Sequence, residues 1–183
     1  MMNRLFITLD IPEQTIEEIL TLSKELYGDY PVRWEGKDKL HITLKFLGDT
    51  KSELTEIILQ QMNDTAKKFN KIDAEFNRFG MFFRNNSPKI FWIGLTHNPK
   101  VFDLQKEVED RVSELGFKKE KRKFHPHLTL LRIKGRENID SLIKIKNTKI
   151  DPIKFTAKQI SLMKSELNPT GSVYSIIKSF ELS

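Results

Sequence analysis

The apolar positions of this chain fall into runs of two kinds, and the runs come in a repeated order. Arg4 to Ile11 (RLFITLDI) is apolar and β-prone, which predicts a buried strand. Pro12 punctuates it. From Glu13 to Tyr27, Ile16, Ile19, Leu20, Leu22 and Leu26 recur at close to helical spacing, and Gly28-Asp29 marks the stop. An extended piece with Val32 and Trp34 leads to His41-Ile42-Thr43-Leu44-Lys45-Phe46-Leu47-Gly48. The second half replays this order. Lys89 to Leu95 (KIFWIGL) reads as a strand and Asn98-Pro99 punctuates it. Val101 to Leu115 is helical through Phe102, Leu104, Val108, Val112 and Leu115, and Gly116 stops it. The extended basic piece Phe117 to Phe124 then leads to His127-Leu128-Thr129-Leu130-Leu131-Arg132. Ile7 to His41 spans 34 residues and so does Ile93 to His127, which predicts an internal duplication with matched spacing.

A helix and further strands are expected after each motif. Lys51 to Phe69 has a helical pattern, and Ala74 to Phe83 reads as a strand. Ile139 to Ile145 is a shorter helix, Ile153 to Leu167 a strand region and Val173 to Phe180 a closing strand, with Asn168-Pro169-Thr170-Gly171 as a hairpin-type turn. The expected fold is α+β: residues 1–183 as one bilobal domain with an internal pseudo-twofold repeat. Two antiparallel sheets carry helices on the outside and leave a central cleft.

On a strand, residues i and i+2 share a face. His41 and Thr43 therefore point one way and Ile42 and Leu44 the other; His127 and Thr129 are set against Leu128 and Leu130 in the same manner. A pseudo-twofold would bring both His/Thr pairs to one cleft. That arrangement suits a phosphodiester, because in-line attack needs a base on one side and an acid on the other. Histidine serves either role with an unperturbed pKa of about 6.5. Threonine hydroxyls can donate to the non-bridging oxygens, and Arg132 or Lys45 can hold the charge that grows there.

Composition narrows the alternatives. The chain has no cysteine, which excludes thiolate nucleophiles, zinc-thiolate sites and disulfides, and which fits a reducing compartment. Lys plus Arg exceeds Asp plus Glu, giving a net charge of +6, which favours phosphate-bearing partners. The N-terminal apolar run ends at Asp10, too short for a leader or a span, so a cytoplasmic protein without a membrane partner is expected. His125 and His127 form a His-x-His pair, an alternative metal site that lacks a nearby carboxylate cluster; no metal and no cofactor are expected. His125 is placed at the cleft entrance or as a cap on the strand, with a substrate contact as the lesser alternative, and His97 in a solvated turn. Lys118 to Lys123 is either a solvated basic edge strand or a phosphate-tracking surface. Trp34 and the Phe79–Phe83 stretch are either core or stacking platforms for a base.

HITLKFLG and HPHLTLLR, RLFITLDIP at the start, VRWEGKDKLH before the first motif, KIFWIGL and VYSIIKSFEL at the end together resemble the RNA 2',3'-cyclic phosphodiesterases, the LigT-like 2'-5' RNA ligases of the two-histidine phosphoesterase superfamily. The resemblance implies metal-independent hydrolysis of an RNA 2',3'-cyclic phosphate to a 2'-phosphate, in a cleft between two lobes. It implies His41 as proton donor, His127 as proton acceptor, and Thr43 and Thr129 on the phosphate, and Arg132 matches the arginine that closes the family's second motif. Lys45 and His125 are placed on the substrate side by the residue pattern and not by the resemblance. Two positions depart from the family pattern: Leu131 stands where a small residue is usual, with room to narrow the cleft, and Thr8 replaces a common alanine. The expected partner is RNA with a cyclic phosphate end, acted on by a monomer without an obligate protein partner. Reversible 2'-5' joining of RNA, small cyclic nucleotides as substrates, and a non-catalytic RNA-binding module are the competing readings.

Overall fold

The computed structural model describes residues 2–169 and 171–183. Within them, eight strands and four α-helices follow in the order β1 (Met2–Leu9), α1 (Glu13–Tyr27), β2 (Ile42–Lys51), α2 (Thr55–Lys68), β3 (Ile72–Arg84), β4 (Ser87–Leu95), α3 (Pro99–Glu114), β5 (His127–Arg132), α4 (Ile139–Lys146), β6 (Ile153–Ala157), β7 (Gln159–Asn168) and β8 (Gly171–Glu181). They build two four-stranded antiparallel sheets, β2-β1-β7-β8 and β5-β4-β3-β6. Each His-x-Thr segment lies at the edge of its sheet, beside the first strand of its repeat. The expected strand region 153–167 is two strands: Lys158 separates β6 in one sheet from β7 in the other. The hairpin-type turn predicted at 168–171 includes Thr170, which lies outside the described residues.

Local chemistry explains the helix limits. Asn98 accepts a hydrogen bond from the Lys100 N–H with Pro99 in the first turn of α3, and Asn138 accepts from the Ser141 N–H at the start of α4. Gly28, at φ +79°, turns the chain out of α1. The helices cross between repeats. α1 follows β1 of the first sheet but packs on α4 and on β6 of the second; α3 follows β4 of the second sheet but packs on α2 and on β2 of the first. Tyr27 at the end of α1 accepts a hydrogen bond from the Asn138 N–H at 2.8 Å, fastening α1 to α4. One apolar core runs through both halves, from Leu5, Ile7 and Ile42 to Ile93, Leu128 and Leu130. Trp34 packs against it, with its ring 5.6 Å from Tyr27 and 6.4 Å from Phe91, and Phe79 stacks on Phe91.

The strand register revises the matched spacing. Leu9 pairs with Ile42, whereas Ile93 pairs with Leu128. The counterpart of Ile93 is therefore Leu9, not Ile7. The second repeat carries two more residues between this paired position and its helix, because β4 runs on through Gly94 and Leu95 before a three-residue connection equal in length to that of the first repeat, and the equal 34-residue intervals start from non-equivalent positions.

Candidate active site

Both motif strands carry the same irregularity. Thr43 pairs with Thr8 and Lys45 with Ile7, so Leu44 is an extra residue; Thr129 pairs with Trp92 and Leu131 with Phe91, so Leu130 is its counterpart. A bulge of this kind flips the side-chain alternation beyond it. His41 and Thr43 share their face with Phe46, and His127 and Thr129 share theirs with Arg132, while Lys45 and Leu131 turn to the helix side. The burial agrees: Phe46 and Arg132 are exposed, Lys45 and Leu131 buried.

This corrects the expectation for Lys45. Its Nζ lies 2.5 Å from Glu109 Oε1 on α3 and donates to the Lys118 carbonyl at 2.7 Å. Glu109 also accepts from Gln105 Nε2 and from the Glu120 N–H. Lys45 is a structural cation on the wrong side of its strand for a phosphate in the cleft. Leu131, 1% exposed, lies in the core and does not narrow the cleft. Thr8 sits beside Thr43 with its hydroxyl donating to Asp10 Oδ1 at 2.8 Å and facing the Ser161 carbonyl at 3.4 Å; Asp10 also accepts from Ser161. Burial raises the pKa of Asp10.

Each histidine sits in an aromatic nest. The His41 ring lies 5.2 Å from Phe6 and 5.6 Å from Tyr174 on β8, and Phe6 touches Phe46 and Tyr174. The His127 ring lies 4.9 Å from Phe82 and 6.0 Å from Trp92. Gly80 and Gly94 flank the Trp92 indole, and a Cβ at either position would collide with it. Of the Phe79–Phe83 stretch, then, Phe82 lines the site and Phe79 does not. The nests desolvate the imidazoles. Burial is the main cause that lowers His41 to about 4, against the opposing pull of Asp38 and with the charges of Arg132 and His127 adding to it. His127 is lowered too, chiefly by burial, with its hydrogen bond to the His125 backbone opposing.

The two halves meet through these charges. β2 and β5 are in contact, and Arg132 acts on both histidines. Its Nε lies 3.3 Å from Glu35 Oε1, and Glu35 also faces Lys39 at 3.6 Å. The Glu35 N–H donates to the Leu130 carbonyl at 2.9 Å, which pins the 29–40 connection to the bulge of β5. Sequence reasoning missed Glu35, since nothing in its local pattern points to Arg132. His125 places its carbonyl 2.6 Å from His127 Nδ1, and its ring 4.6 Å from Trp92. With Nδ1 engaged in that bond, His125 and His127 do not form a metal chelate through that atom. Among the described residues no group of three His, Asp or Glu is placed to hold a metal ion.

A family model, that of the 2'-5' RNA ligase superfamily, matches the chain over residues 11–169. The chain belongs to that superfamily. Within it, the chain is 36% identical to the RNA 2',3'-cyclic phosphodiesterase of Methanocaldococcus jannaschii, covering 96% of this chain and 98% of that one. It is 29% identical to the RNA 2',3'-cyclic phosphodiesterase of Thermotoga maritima, covering 95% and 92%. Among solved structures of the superfamily fold, E. coli LigT complexed with 3'-AMP superposes with a TM-score of 0.79 at 21% identity, over 100% of this chain and 99% of that one. A protein of Thermus thermophilus does so with a TM-score of 0.79 at 22% identity, over 98% and 97%. These two structural likenesses bear on the fold.

Proposed function

We propose that this chain hydrolyses RNA 2',3'-cyclic phosphate ends to 2'-phosphomonoesters, with His41 as acid and His127 as base and without a metal ion. The observation that carries the reading is the pair of bulged His-x-Thr strands, one from each sheet, with Arg132 acting on both imidazoles. Relatives named for this activity, aligned over nearly the whole chain, support it.

The His125 carbonyl accepts the Nδ1 proton of His127, which leaves Nε2 as a lone pair for the attacking water. Water adds to phosphorus and gives its proton to His127. The bond from phosphorus to the ribose 3'-oxygen breaks, and His41 protonates that oxygen. Thr43 and Thr129 donate to the non-bridging oxygens and Arg132 offsets their charge. Free His41, near 4, is neutral at pH 7; the anionic substrate, entering a desolvated site, supplies the opposite charge that raises it. One chain supplies both histidines, so a monomer is sufficient. The absence of cysteine fits a cytoplasmic setting.

The test is an RNA oligonucleotide with a 2',3'-cyclic phosphate, incubated with the protein in EDTA and followed by phosphorus NMR. Accumulation of a 2'-phosphomonoester supports the reading. A 3'-phosphate, or activity that needs an added divalent ion, contradicts it.

A further inference from the structure

Beside His125, at the Leu95 end of β4 and so away from Arg132, which pairs with Ile90 near the other end of that strand, a cavity of about 260 Å³ opens to solvent. Its wall includes Arg78 on β3, His97, Phe102 on α3, and Lys123, Phe124 and His125. The mechanism uses none of the first five. The aromatic side is built as a platform: Phe102 lies 5.0 Å from the His97 ring and 5.5 Å from Phe124, edge to face with the latter. The cationic side is uncompensated. Neither Arg78 nor Lys123 is in an ion pair with a carboxylate among the described residues, and both are exposed. Both cations line the cavity with His125, whose pKa is lowered chiefly by burial and further by the charges of Arg78 and Lys123.

Position gives the cavity its meaning. His125 is a shared wall, its ring centroid 6.0 Å from that of His127. A strand whose terminal phosphate sits at His127 therefore has its neighbouring phosphodiester within reach of the cavity. Lys123 is also the last residue of the run Lys118–Lys123. That run is an irregular loop rather than an edge strand, held from behind by the Glu109 carboxylate and the Lys119–Asp110 pair, so Lys121, Arg122 and Lys123 are left facing solvent. Unpaired cations beside an aromatic platform are the surface that single-stranded nucleic acid recognises, by charge on the backbone and stacking on the base.

We propose that this cavity is the subsite for the penultimate nucleotide of an RNA strand: Arg78 and Lys123 bind the phosphodiester on the 5' side of the terminal ribose, and Phe102 and Phe124 receive the preceding base. The inference rests on the reading of the cleft as a cyclic-phosphate site, and it makes an RNA strand the preferred substrate over a free cyclic mononucleotide.

The experiment compares the wild type with Arg78→Ala/Lys123→Ala, both exposed positions, on adenosine 2',3'-cyclic phosphate and on the ApA dinucleotide with the same end. A parallel calorimetric titration uses the corresponding 2'-phosphates, adenosine 2'-phosphate and ApA 2'-phosphate, so that binding is read without turnover. The wild type should favour the dinucleotide in both assays. The double variant should lose about tenfold or more on the dinucleotide, as expected for charged contacts to phosphate, and change less than about twofold on the mononucleotide. Equal losses on both, or no preference in the wild type, would overturn the subsite. Discrimination in the titration without hydrolysis of either cyclic phosphate would leave the subsite standing and reject the hydrolytic reading instead.

Discussion

His127 holds its Nδ1 2.6 Å from the carbonyl oxygen of His125. Pro126 lies between them and restricts His125 to extended backbone, so the carbonyl is fixed by local covalent geometry. A backbone acceptor survives side-chain replacement. His125→Ala should therefore keep the His127 tautomer, which nitrogen-15 NMR reads directly, and lower kcat/KM far less than His127→Ala does. A switch of tautomer in His125→Ala would show that the side chain, not the carbonyl, orients the base.

Lys45 and Glu109 provide a second test. Breaking a buried pair leaves its partner uncompensated, at a cost of about 3–5 kcal/mol. Lys45→Ala should lower the urea midpoint clearly, while KM, measured well below the unfolding temperature, stays near wild type. A large rise in KM at unchanged stability would return Lys45 to the phosphate.

The reason the sequence misplaces Lys45 is specific. Period-two alternation from His41 predicts His41, Thr43 and Lys45 on one face, and a bulge at Leu44 has no signature in residue type. The same hidden bulge at Leu130 brings Arg132 to the histidine face, where strict alternation from His127 would have put Leu131. The paired His-x-Thr strands, the two-sheet architecture and all four helices were legible, because hydrophobic period and Asn, Pro and Gly punctuation carry them. The two-residue offset between repeats, the Glu35–Arg132 contact and the cavity beside His125 were not, because each depends on register or on contacts distant in sequence.

Protonation of His41 should couple to stability. Its folded pKa, near 4, lies below the unfolded value of 6.5, so between these the unfolded chain binds a proton that the folded chain excludes. Stability from this group is fully present above pH 6.5 and falls as pH drops toward 4, by on the order of 3 kcal/mol. His127 shifts in the same direction. Denaturation midpoints should fall from pH 7 to pH 5 in the wild type, and less steeply in His41→Asn. An equal slope in the two proteins would mean that His41 is not desolvated.

The threonines should act on turnover. Thr43→Val and Thr129→Val keep strand propensity and shape but remove a donor, and each should lower kcat by about 10²–10³. Unchanged kcat in both would make them strand formers only.

The division of labour between His41 and His127 is tested most directly by leaving-group dependence. On an RNA 2',3'-cyclic phosphate, the leaving ribose oxygen is strongly basic and needs the acid, and losing either histidine should cost at least about 10²-fold. On a nucleoside 2'-phosphodiester with a nitrophenolate leaving group, little protonation is needed. His41→Ala should then recover most of the wild-type rate, while His127→Ala stays impaired. Recovery in His127→Ala with His41→Ala still impaired would contradict the assignment and reverse the two roles.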